Sequence, residues 1–548
     1  MKGKILVVGV ILVGVMLIVN ATNLHMKAVN TEIKKLNEVN TLVKPANLQP
    51  APVALSAKPV AKKVSFKPMP LDTQVTVNEG VDQNPAIATD GSGNILSIYE
   101  IETDISEYDI GISASYDVGS TWGEAYYFEV DGDPTQPRLD FYGGKTVYGT
   151  WTADPWEAFG YAYFAEFPDI TDPEAGEYGW VYFTVPWGEN YGIGAPFTSS
   201  DVGCYETSNP PTPAFWGIVG FTGDNEYSGY EEDNTFMFQF DTEEGYVTII
   251  FFYDMDFDVF NISTDIDQSN GQFYMVADFV SESDPSVYGT YVLTRRVTSS
   301  EDWWQGSWEG VLFYNCTHPY VEASNGRVYV ATEMKMPDGS SDIVCWTTTN
   351  PSNWQSWEGL YVTSTTGESE RFPALTAIDD KEAIIVFVKD NNVYATKTVD
   401  SAQSWSPPDQ VNDNPSTAVG QYGCLDVAAS YALWTDTSTG NYDILFDIVG
   451  KAPVIDIAIS GGFGVKATIS NIGTGDASNV QWSIDITGGI VLKGHAEGTI
   501  ASLPAGSSTT VSSGLVLGIG PVTVTVTAGG ASKTASGFML GPFILGLS

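Results

Sequence analysis

Positive charge is what this chain has least of. Its 548 residues hold 24 Lys and Arg against 68 Asp and Glu, for a net charge of −44, and His occurs three times. Only five cations are Arg: Arg138, Arg295, Arg296, Arg327 and Arg371. Such a chain repels nucleic acid and anionic membranes, so cations, cationic peptides or neutral glycans are the partners it admits. The bland alternative is a solubility device for a salty or acidic habitat. Cysteine is scarce as well: Cys204, Cys316, Cys345 and Cys424 fit no zinc spacing. They form two disulfides in an exported chain or remain four buried thiols. The long apolar run, Ile5 to Val19, has 15 residues, short of the ~20 that cross a bilayer as a helix. Behind Lys2 and Lys4, and followed by Val19-Asn20-Ala21, it reads as a signal peptide over 1–21, with an uncleaved anchor as the alternative.

What is present points to a turn-rich all-β protein: 55 Gly, 28 Tyr and 15 Trp, with 43% hydrophobic and 17% charged residues. Residues 22–72 are rich in Pro, Ala and Lys and read as a linker. Together with the signal segment they carry +7, residues 73–450 carry −51, and residues 451–548 are neutral. From residue 73 a unit recurs: a Pro-led strand, a Gly/Asn/Asp turn, then further strands. Its starts are Asn84-Pro85, Gln136-Pro137, His318-Pro319 and Phe372-Pro373, with weaker copies over Thr264–Asp278 and Cys424–Asp436. Hairpins that cannot bury their own faces stack around an axis, so 73–450 is expected to be a β-propeller. The interval from 137 to about 265 is double length and holds two blades or one with a large insertion. Seven blades are expected rather than six. The last repeat is one strand short, so a strand near Gln74–Val77 should complete it.

The third strand of the first repeat runs into Ser115-Tyr116-Asp117-Val118-Gly119-Ser120-Thr121-Trp122. A second copy is Thr398-Val399-Asp400-Ser401-Ala402-Gln403-Ser404-Trp405, and Thr348–Trp354 is a shorter relic. Asp can accept main-chain N–H groups in a tight turn, Gly supplies an unusual φ and Trp packs beneath the hairpin. Ser115, Asp117, Gly119, Thr121, Trp122, Asp400 and Trp405 are therefore read as structural. Residues 451–548 alternate apolar and polar positions and read as a small β-sandwich.

The Ser-x-Asp-x-Gly-x-Thr-Trp match and the blade period resemble the Asp-box (BNR-repeat) sialidase-like propellers. The stretch Ala467–Trp482 resembles CARDB-like and related immunoglobulin-like surface modules. The first resemblance implies an Arg triad for a substrate carboxylate, a Tyr nucleophile paired with Glu, and an Asp acid/base. Arg371-Phe372-Pro373 matches the family's Arg-x-Pro, and Arg138 sits at a similar strand start. With five Arg in all, and no Arg in Gln83-Asn84-Pro85, no catalytic residue is assigned. Arg138 and Arg371 are carried forward as substrate-binding candidates.

Residues 151–257 hold 28 aromatics, which fill blade interfaces or line a sugar-binding surface. Asp254, Asp256, Asp258, Asp265 and Asp267 form the densest acid cluster, with oxygen ligands of the kind Ca²⁺ takes, though without the EF-hand glycine and terminal Glu. No other cofactor is expected. The reading is an exported cell-surface protein whose propeller recognises a glycan or protein partner, not nucleic acid. The signal segment or linker could tether it to a membrane. A sialidase-like glycoside hydrolase is the alternative.

Overall fold

The computed structural model describes residues 72–548 with interruptions, and before them only the backbone of 11–12, 15–21, 49–50 and 55–56. Outside the description fall 78–79, 105–106, 124–125, 131, 144, 157–158, 188–189, 193–196, 208–211, 222–234, 242–245, 253–256, 282, 297–308, 366, 451–454, 472–474, 476, 530 and 548. Between 154 and 258, side chains are described only at 163–176, 178 and 199–203. Most of the expected signal segment and linker therefore lies outside the described residues.

The described residues contain no α-helix and are mostly strand. Seven sheets with a four-stranded antiparallel body follow one another along the chain, opening with Asp82–Thr89, Asp133–Gly143, Phe197–Thr207, Phe257–Asp267, Cys316–Ser324, Glu370–Ala377 and Leu425–Ala428, and the second, fourth and fifth take on further short strands. The double-length interval holds two of them, over Asp133–Trp187 and Phe197–Phe252. The last sheet takes its fourth strand from the other end of the chain. Thr73–Gln74 pairs with Phe446 and Leu445, and Val75 N donates to Ile444 O at 2.8 Å. The expected completing strand is thus in place.

The opening strand of each sheet is an edge strand, and its outward N–H groups have no ladder partner. Side chains of the preceding sheet accept them. Ser199 Oγ and Asp201 Oδ2 accept Ile262 N and Thr264 N at 3.1 and 2.8 Å. Ser263 Oγ and Asp265 Oδ2 accept Val321 N and Ala323 N at 3.1 and 2.5 Å. Thr376 Oγ1 accepts Ala429 N at 3.0 Å, and Asp426 Oδ2 accepts Ile87 N at 3.0 Å, which ties the last sheet to the first. Opening strands that bond in sequence and close on themselves surround a common axis. The fold is a β-propeller.

The chain divides into two compact units, one covering most of 1–447 and the other Thr89–Leu96, Ser113–Glu124 and Ile448–Ser548. In the second, a three-stranded sheet (Ile455–Ser460, Lys466–Asn471, Ser508–Ser512) and a larger one built on Ala477–Thr487, His495–Leu503, Leu517–Ala528 and Ala531–Gly541 share a core. Ile457, Ala467 and Ile469 meet Val480, Ile484, Val524, Val526 and Met539 there. The arrangement is a β-sandwich.

Candidate functional site

The Pro-led strand starts share one local device. Asn84, Gln136, His318 and Phe372, each just before a Pro, have φ between 51° and 54°, and Asn261 matches them at 53°. Register breaks at the same place in each mapped ladder, between Thr135 and Arg138, Phe260 and Ser263, Thr317 and Tyr320, and Arg371 and Ala374. Pro cannot donate to the ladder and so suits a bulge, though Asn261 makes the same bulge before Ile262. A left-handed conformation costs a non-glycine residue roughly 1–2 kcal/mol, so five at equivalent positions mark a constructed surface.

Carboxylates hold these bulges together. Glu100 accepts Asn84 Nδ2 and Gln83 Nε2 at 2.8 Å in its own sheet, and Gln136 N at 3.0 Å in the next. Asp278 accepts Asn261 Nδ2 at 2.9 Å and, across sheets, His318 N at 2.8 Å. Glu333 lies 3.0 Å from His318 Nδ1 and 3.1 Å from Arg371 Nε, and accepts Ser341 Oγ at 2.8 Å. Burial above all raises Glu100 and Asp278 to about 7. Burial pushes Glu333 up too, but His318, Arg371 and Ser341 outweigh it and leave that carboxyl below its ordinary range.

The first residue beyond each bulge that rejoins the ladder is Arg138 in the second sheet, Ser263 in the fourth, Tyr320 in the fifth and Ala374 in the sixth. Arg138 is only 3% exposed. Its guanidinium carbon lies 5.6 Å from the Tyr422 ring centroid and 5.9 Å from that of Tyr320. Nη1 donates to Pro137 O at 3.3 Å, while Nε is buried with no hydrogen-bond partner among the described residues. Burial works against its charge, but Tyr422, Asp201, Tyr320 and Asp426 hold its pKa above the ordinary value. The Tyr320 hydroxyl donates to Asp426 Oδ1 at 2.6 Å, and burial followed by Asp426 raises its pKa well above normal. Asp201 is lifted to about 7 by burial, with Arg138 opposing.

The mouth of this cluster is aromatic and partly open. The His318 ring lies 5.4 Å from that of Tyr422 and 4.9 Å from that of Phe372, and the Arg371 guanidinium covers Phe372 at 4.4 Å. The Arg371 side chain is 47% exposed and that of His318 is 19%. Arg138, Asp201, Asp278, His318, Tyr320, Arg371 and Asp426 come from six different sheets.

Of the sequence candidates, Arg138 and Arg371 thus belong to one cluster. Arg295 and Arg296 pair with Phe273 and Gln272, and Arg327 pairs with Ser324, at the sheet ends opposite the bulges. Three Arg do not converge among the described residues. Asp265 and Asp267 hold main chain: Asp265 accepts Ile266 N and Ala323 N, and Asp267 accepts Ser269 N and Gly326 N. Asp254 and Asp256 lie outside the described residues, as does the side chain of Asp258. Among the described residues no three His, Cys, Asp or Glu are grouped to hold a metal. Cys316, Cys345 and Cys424 are buried free thiols, and the side chain of Cys204 is outside the description. Sequence reasoning missed His318, Tyr320, Tyr422, Glu333 and Glu100. His318 and Tyr320 had one signal, the Pro319 they flank, and Glu100, Glu333 and Tyr422 had none.

No family model matches the chain, and no curated protein matches it. Solved structures do resemble it. An ulvan lyase of a polysaccharide lyase family, bound to -[GlcA(1-4)Rha3S]-, has 10% identity and a TM-score of 0.45, covering 69% of this chain and 96% of that one. Trypanosoma rangeli sialidase has 9% identity and a TM-score of 0.34 over 84% of each chain. A Hadza microbial sialidase has 13% identity and a TM-score of 0.34, covering 67% of this chain and 66% of that one. These are likenesses of fold alone.

Proposed function

We propose that this chain is an exported surface protein whose seven-bladed propeller binds a neutral glycan at the bulge end of its axis. The observation that carries the reading is Arg138. It is a buried guanidinium whose Nε has no partner among the described residues, walled by Tyr320 and Tyr422, with His318 and Phe372 packed beyond them. A charged donor held out of water calls for an acceptor oxygen, and a sugar hydroxyl or ring oxygen supplies one. Aromatic faces suit the apolar faces of sugar rings, and the neighbouring carboxyls accept from sugar hydroxyls. The −51 of residues 73–450 disfavours an anionic ligand.

Binding of neutral oligosaccharides on a glycan array should be lost in Arg138→Met and weakened at least tenfold in Tyr422→Ala, with both variants folded by circular dichroism. Unchanged binding in both would remove the site. The second reading, sialidase-type hydrolysis, has one observation in its favour: a tyrosine–carboxyl pair, Tyr320 and Asp426, beside an Arg. It requires acidic sugars on the array and release of sialic acid from a fluorogenic sialoside that Tyr320→Phe abolishes.

A further inference from the structure

The larger sheet of the C-terminal unit has an outward face of two characters. Along Leu517–Ala528 and Ala531–Gly541 one half of that face is hydroxylic: Thr523, Thr525 and Thr527 stand opposite Ser536, Thr534 and Ser532. This is the ordinary composition of a strand face turned to water. Beyond Pro521 the same face turns apolar. Phe463, Phe543, Leu540, Ile519 and Ile490 are successive cross-strand partners and form one row across the strands. Phe538 and Leu545 pair on one side of that row, and Leu492 and Leu517 on the other. These nine side chains are each between 43 and 68% exposed, while Met539 and Ile544, which alternate with them, are buried in the sandwich core.

We propose that this face is the contact by which two copies of the chain dimerise. Three Phe and six Leu or Ile side chains at roughly half exposure present on the order of 600 Å², at the upper end of the ~300–600 Å² of the largest patch on a typical monomer. That is most of the ~800 Å² per partner of a stable interface. Charge selects the occupant. Residues 73–450 carry −51, while residues 451–548, which contain this face, hold four Lys and four acids and have a net charge of zero. Two copies of so acidic a chain can meet only through a neutral surface. The nine include no Trp or Tyr, the residues of a membrane-interface aromatic belt, and no Lys or Arg to meet anionic lipid. They resemble a domain core cut in half, which is the composition of a homodimer contact. Outward faces of two sheets stack about 10 Å apart in such a contact.

Sedimentation of the full chain at about 0.3 M NaCl, where charges beyond about 6 Å are screened, should give a dimer at micromolar concentration. The double variant Leu517→Thr, Leu540→Thr extends the hydroxylic half of the face. It should weaken dimerisation on the order of a hundredfold while leaving the circular dichroism spectrum unchanged. Phe543→Thr alone should weaken it in the same direction, so a poorly folded double variant would not leave the idea untested. A wild-type chain that stays monomeric, a dimer indifferent to both variants, or flotation of the wild type with phosphatidylcholine vesicles would each overturn the proposal, the last assigning the face to lipid.

Discussion

Asp117 and Asp400 make the same set of hydrogen bonds. In each turn the hydroxyl two residues earlier donates to the carboxylate, at 2.9 Å from Ser115 and 3.0 Å from Thr398. The carboxylate accepts the main-chain N–H four residues on, at 2.8 Å from Thr121 and 2.9 Å from Ser404, together with the hydroxyl of that same residue at 2.7 and 2.6 Å. Ala402 takes the glycine place of the second turn at φ 61°. The two Trp differ. Trp405 is 2% exposed and lies in a core with Leu375, Ile385 and Phe387, whereas Trp122 is half-buried. Trp405→Ala should therefore cost about 3–5 kcal/mol, and Trp122→Ala distinctly less. Asp400→Ala should cost about 1–3 kcal/mol for the donors it leaves unmet. Urea titrations of the three variants check the order, and equal costs for the two Trp would contradict the packing. This turn was legible in the sequence because its bonds join neighbours at fixed spacing. The Arg138 cluster was not, because Tyr320, Tyr422 and Asp426 reach it only once the ring of sheets has closed.

At the scale of the strand, the carboxyls near the axis replace a missing ladder. Asp265 accepts Ala323 N from the next sheet, yet burial and then Asp140 raise its pKa well above the ordinary range. Glu322 is raised in the same way, by burial and then by Asp265. The staple needs an acceptor oxygen, not a charge. Asp265→Asn keeps one of the two acceptor oxygens and turns an NH2 group toward the other N–H, so it should lower stability, but less than Asp265→Ala. Asp265→Ala orphans the N–H groups of Ile266 and Ala323 and should lower stability by about 1–3 kcal/mol for each that stays unmet. Equal losses in both would mean that the ionised form is what the fold uses. From the sequence, the Pro-led starts and the strand missing from the last sheet could be read, since Pro and a repeat period leave local marks. The bulges could not, because a left-handed φ at Gln136, His318 or Phe372 has no signature in residue type.

Over the whole molecule, acidity has two components that respond differently to pH and salt. One is buried: Glu100, Asp201 and Asp278 are each raised to about 7, foremost by burial, from unfolded values near 4. A carboxyl whose folded pKa lies above its unfolded one binds more protons when folded. Its stabilising contribution is complete below about pH 4 and is lost as pH rises through about 7. Glu333, lowered by His318 and Arg371, acts in the opposite sense. The other component is the mutual repulsion of exposed carboxylates, which salt screens as the Debye length falls from about 10 Å at 0.1 M to about 3 Å at 1 M. The melting temperature should therefore be higher at pH 5 than at pH 8 in dilute buffer. NaCl at 1 M should raise the pH 8 value and narrow the gap, with KCl equivalent, but should not close it, because the buried carboxyls lie beyond the reach of mobile ions. The part of the gap that survives salt should shrink in Asp278→Asn, which fixes the neutral form. A gap abolished by 1 M salt would place all of the repulsion on the surface and would contradict the raised values at Glu100, Asp201 and Asp278.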